Sequence, residues 1–80
     1  MRILDEKNNK SISHLTLLLE KTEAIQLIGY LEDLILEGTQ NEHYHLNDAE
    51  YSKEITIALY NEGNLEGFSD RYKLLIMKDE

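Results

Sequence analysis

Eighty residues and 9.4 kDa are enough for one small domain, and a chain of this length buries only about 60–65 % of its unfolded surface. The absence of cysteine excludes disulfides, thiolate metal sites and cysteine nucleophiles. A net charge of −8 opposes nucleic acid, which is held by Lys and Arg on phosphates, and anionic lipid alike, while 41 % apolar residues are too many for a disordered acidic tail.

Met1 to Leu4 reads as a short strand and Asp5 to Lys10 as a polar turn. That turn interrupts the opening apolar residues at once, so no apolar signal core forms and no run is long enough to span a bilayer. The expectation is a cytoplasmic protein without membrane contact. From Ile12 to Leu19 the residues alternate, with Leu15, Leu17 and Leu19 on one side and His14, Thr16 and Leu18 on the other. Period two predicts a strand, although a leucine run can also be helical.

Thr22 to Glu37 carries the strongest pattern. Ala24, Ile25, Leu27, Ile28, Leu31, Leu34 and Ile35 include the spacings of three, four and seven that make an amphipathic helix. Thr22 is the expected N-cap, Glu23 favours the positive end of the helix dipole, and Gly38 suits the left-handed C′ position. Ile25 and Leu36 lie off the centre of the stripe and project with Gly29 roughly 100–140° around the axis. Gly29 there either fits tightly against the domain's own sheet or terminal element or lets a partner's backbone approach.

Thr39 to Glu42 is a polar loop, and His43 to Asn47 alternates again, with Tyr44 and Leu46 facing one way and His43, His45 and Asn47 the other. A turn over Asp48 to Ser52 leads to the clearest strand, Glu54 to Tyr60, with Ile55, Ile57 and Leu59 inward. Asn61 to Gly67 reads as a flexible loop. In the last stretch, Ser69 or Asp70 can cap a short helix that buries Tyr72, Leu75 and Ile76. Alternation of Tyr72, Leu74 and Ile76 would instead make a strand; helix is the preferred reading. The sum is a single α+β domain over residues 1–80: (β)βαββ plus a short terminal helix, one antiparallel sheet with the long helix on one face.

Two constellations carry chemistry. His43 and His45 form a His-x-His pair that a strand places on one face, about 6.5–7 Å apart along the chain. Such a pair can chelate zinc or a similar metal with a third ligand from Asp48, Glu50 or His14, or it can be two solvated histidines. The same alternation puts His14, Leu18, Ala58 and Tyr60 on that face, a mixed surface of the kind that suits an interface. No serine lies in a glycine-flanked elbow, and Gly63 and Gly67 stand in an acidic loop that would repel phosphate. The chain therefore reads as a non-enzyme without a cofactor.

Charge is unevenly placed. Through Thr22 four basic groups meet three acidic ones, giving +1, whereas from Glu23 onward four basic groups meet thirteen acidic ones, giving −9. This acidity serves solubility or steers the protein onto a basic protein partner. Small size without disulfides favours a two-fold homodimer. Its expected surface is the uncovered sheet face with Leu18, Ala58 and Tyr60, and the helix flank of Ile25, Gly29 and Leu36 comes second. The competing expectations are a monomer whose end segments fold over the sheet face, or a face left to water.

Leu15-Thr16-Leu17, the helix of Ala24 to Leu36, His43-Tyr44-His45-Leu46-Asn47-Asp48 and Leu74-Leu75-Ile76 together make about three-quarters of the chain resemble small acidic proteins of bacterial toxin–immunity clusters. That resemblance implies a small α+β protein that binds and masks a cognate toxin. The chain is equally similar to short bacterial proteins with no assigned role, and neither likeness transfers a functional residue.

Overall fold

In a computed structural model, which describes residues 1–37 and 43–80, the chain forms a small α+β fold of two helices and two separate two-stranded antiparallel sheets. The expected Gly38 cap and the Thr39 to Glu42 loop lie outside the described residues. The first sheet pairs β1 (Leu4–Asp5) with β2 (Lys10–Ser11), Leu4 opposite Ser11, and the Ile12 N–H extends the ladder to the Ile3 carbonyl at 3.0 Å. Its turn is built by Asp5, whose carboxylate accepts from the Lys7 and Asn8 backbone amides and from the Asn8 side chain at 2.8–3.3 Å. Such Asx turns give the backbone a local alternative to the ladder.

The expected strand from Ile12 to Leu19 does not form. Beyond Ile12 the chain runs without a ladder up to the first helix, and Leu15, Leu17 and Leu18 are exposed. Alternation makes a strand only where a neighbouring edge supplies hydrogen-bond partners. Within the described residues β3 and β4 take each other, so no single sheet is assembled.

α1 spans Lys21–Glu37, one residue earlier than expected. Glu20, not Thr22, holds the N-cap position: its carbonyl accepts from the Ala24 N–H at 3.0 Å, while the Glu23 carboxylate reaches back to the Glu20 N–H at 2.8 Å. This is the carboxylate half of a capping box. β3 (His43–Asn47) and β4 (Glu54–Ala58) form a hairpin with His43 opposite Ala58 and Asn47 opposite Glu54. α1 packs on β3. Leu34 is fully buried, Leu46 is buried from the strand side, and the Tyr30 and Tyr44 rings stack 4.9 Å apart at 4°.

The C-terminal segment is the helix α2 (Asp70–Lys78), capped at both ends. Ser69 Oγ accepts the Tyr72 N–H at 3.2 Å, and Asp79, left-handed at φ 55°, donates its N–H to the Leu75 carbonyl at 2.9 Å. Leu75 and Ile76 are buried, as the capped-helix reading expects. Polar bonds tie α2 to the N-terminal ribbon. Arg2 Nε donates to the Leu75 and Ile76 carbonyls at 3.0 and 3.1 Å, Ser11 Oγ to Asp79 at 2.6 Å, and Tyr72 Oη to Glu6 at 2.8 Å. The last of these holds the Tyr72 hydroxyl above its ordinary value, since the phenol that donates to a carboxylate resists ionising. Among the described residues no helix is long and apolar enough to cross a membrane.

Candidate functional site

The hairpin has two differently used faces. Tyr44 and Leu46 turn toward α1, while His43, His45, Thr56 and Ala58 alternate to the other face. There they line an open groove of about 400 Å³ with Tyr60, closed on its far side by Phe68, Tyr72, Leu75 and Ile76 around α2 and by Arg2 and Leu4. The face expected to lie bare is therefore partly roofed by the chain's two end segments. The groove's guanidinium is already committed: Arg2 satisfies the late carbonyls of α2 and stands 4.0 Å from Asp79.

Cross-strand register fixes the histidines. The His43 and His45 rings meet edge to face with centroids 5.0 Å apart. His45 pairs directly with Thr56, and its Nδ1 lies 2.8 Å from Thr56 Oγ1 and 3.5 Å from Glu54 Oε1. Both oxygens approach the same ring nitrogen. A relay needs the acid on one nitrogen and the nucleophile on the other, so this trio cannot pass a proton from Thr56 through the ring to Glu54.

Asp48 does not join the pair. Its Oδ1 accepts from the Ser52 and Lys53 amides at 2.7 and 3.0 Å, and its Oδ2 from Ser52 Oγ at 2.6 Å. The Ser52 hydroxyl above all, then the Lys53 amide, holds this carboxyl below the usual carboxylate range. It is a turn residue whose two oxygens already accept three local hydrogen bonds. Among the described residues no three His, Cys, Asp or Glu side chains gather as a metal-holding group, so neither Glu50 nor His14 supplies the third ligand.

The other named residues divide. Ala58 and Tyr60 share the groove with the histidines, but His14 and Leu18 do not, because the segment that carries them is not a strand of this sheet; Leu18 stands 92 % exposed. Ile25 and Leu36 are exposed on α1, and a Cβ built on Gly29 meets no atom within 4 Å. The tight fit of Gly29 against the domain's own sheet or terminal element is not found among the described residues. Ile28, Leu31 and Ile35, expected in the core stripe, are exposed too. Their outward position was hidden in the sequence, since an aliphatic arc this wide does not say which part faces the sheet. The groove residues Arg2 and Phe68 carried no sequence signal beyond their proximity to predicted elements. No protein-family model matches the chain, and no curated protein or solved structure matches it either.

Proposed function

We propose that this protein is a non-enzymatic, cytoplasmic, acidic protein-binding module, and that it acts as an immunity-type inhibitor by masking a basic partner protein. The observation that carries the reading is uncompensated negative charge. Of the acidic groups after Glu23, Glu32, Asp33, Glu50, Glu62, Glu66 and Asp70 are all exposed. Among the described residues only Asp79 and Glu54 stand within 4.0 Å of a cationic group, and the latter's partner is a histidine. Such a surface raises association rates with a positively charged protein and repels phosphate and anionic lipid.

The test is co-purification with the product of the neighbouring reading frame, followed by a salt titration of the complex. A secreted basic toxin that is bound and inhibited, with association slowing as salt rises, is the expected result. Binding indifferent to salt, or a metabolic operon around the gene, overturns it. A second reading, a metal ion on His43 and His45, draws on their edge-to-face proximity and needs further ligands from solvent or a partner. Stoichiometric zinc in untagged protein, with a raised melting temperature on adding zinc, is its expected signature.

A further inference from the structure

We propose that two copies of this chain pair, antiparallel and about a two-fold axis, through the outward side of α1. The chain exposes 6416 Å², whereas a compact monomer of its mass exposes roughly 5,000 Å². The excess of about 1,400 Å² exceeds the roughly 800 Å² that each partner gives up in a standard interface. Its radius of gyration is 13.3 Å where about 11.6 Å suits 80 residues, and it is only 18 Å thick. The molecule is flat, with one helix lying over the hairpin on the α1 side.

That outward side is mostly aliphatic, with exposed Lys21 and Glu32 set among its apolar residues. Ile25, Ile28, Ile35 and Leu36 are 58, 56, 69 and 82 % exposed, and at 100° per residue they fall within about one-third of the helix circumference. Patches beyond a few hundred Å² mark association surfaces. Gly29 lies on the same side. A mid-helix glycine weakens the helix, and among the described residues nothing makes use of its missing Cβ, because apart from its chain neighbours and its own helix backbone no atom lies within 4 Å of where it would be. A second helix backbone approaching there makes use of it.

Spacing favours a copy of the chain over another partner. An antiparallel pair centred between Ile25 and Ile28 sets those two residues against each other across the axis. It puts Lys21 opposite Glu32, both exposed, and brings exposed Leu17 and Leu18 of one copy toward Leu36 and Ile35 of the other. One patch thus complements itself in shape and charge. Of the acidic groups named for the proposed partner, this pairing uses Glu32 alone.

Sedimentation of the full chain at micromolar concentration is expected to give twice 9.4 kDa; a mass of 9.4 kDa overturns the proposal. Ile28→Asp is expected to halve the mass. Gly29→Leu should do the same without unfolding the chain, because a Cβ there meets no neighbouring element within 4 Å and leucine favours helix over glycine, and circular dichroism checks its helix content. Glu32→Lys is expected to weaken the dimer several-fold, with recovery in the Lys21→Glu/Glu32→Lys double variant. A dimer that survives both Ile28→Asp and Gly29→Leu, or that Ala58→Asp splits instead, overturns this interface in favour of the groove side.

Discussion

The two helices invert the usual link between hydrophobicity and burial. α1 carries Ile25, Leu27, Ile28, Leu31, Leu34, Ile35 and Leu36, yet among its described side chains only Leu34 is buried. α2 is nine residues long, opens on Asp-Arg, and buries both Leu75 and Ile76. The difference lies in what each helix is attached to. α2 is capped at both ends and bonded to the N-terminal ribbon by Arg2, Ser11 and Tyr72, which fixes the side it turns inward. α1 rests on a two-stranded hairpin too narrow to cover its aliphatic arc. Burial follows the area of the opposing layer, and a third strand from Ile12 to Leu19 would have widened that layer.

The sharpest way to break this comparison is to truncate neighbours on α1. Leu34→Ala is expected to cost about 2–5 kcal/mol, the range for a fully buried leucine. For so small a domain this is a large part of the whole stability. Ile35→Ala, one residue on and 69 % exposed, is expected to change monomer stability by no more than about 0.5 kcal/mol. Urea unfolding at concentrations below dimerisation separates the two. Equal losses at both positions would mean that Ile35 is packed inside the chain and that α1 is not half-open.

Much of this was legible from the residues. The period of α1, the alternation of His43 to Asn47, the strand expected over Glu54 to Tyr60, which forms as far as Ala58, and a cap at Ser69, one of the two positions expected, each follow from local chemistry. What was not legible depends on distant partners. Leu15 to Leu19 has strand periodicity but no edge to join, so its pattern is real and unused. The aliphatic arc of α1 spans more than half a turn, and only the position of Tyr44 and Leu46 decides that Tyr30 and Leu34, not Ile28 and Ile35, face them. Asp48 was a plausible ligand by composition, but its turn consumed the carboxylate. The histidine pair was legible because strand parity alone places it.

The α2 side is sharpened by its cap. Ser69→Ala removes the hydroxyl that accepts the Tyr72 N–H at 3.2 Å and is expected to cost about 0.5–2 kcal/mol. Hydrogen exchange should speed up first in α2 and leave the β3–β4 amides nearly unchanged, since the two halves share few bonds. Uniform loss of protection would show that the halves unfold as one unit.

The smallest expected effect concerns the two aspartates that each close a turn, Asp5 on the α2 side and Asp48 on the α1 side. Both carboxyls sit below their ordinary value, Asp5 chiefly through the Asn8 side chain and Asp48 chiefly through the Ser52 hydroxyl. A depressed folded-state pKa means that the ionised form is favoured by folding. The resulting stability is complete above the unfolded value, near 3.9, and is lost as pH falls through the lower folded value. Asp48→Asn offers one acceptor oxygen where the carboxylate offers two, and it carries no charge to shift. The variant is therefore expected to melt slightly lower at neutral pH, and the gap should close as the medium is acidified below about pH 4. Asp5→Asn should behave alike but loosen the ribbon and α2 in place of the hairpin. Thermal melts over an acid series, read beside hydrogen exchange, check both sign and location. A gap that stays constant into acid would assign the Asp48 effect to turn geometry alone, without charge.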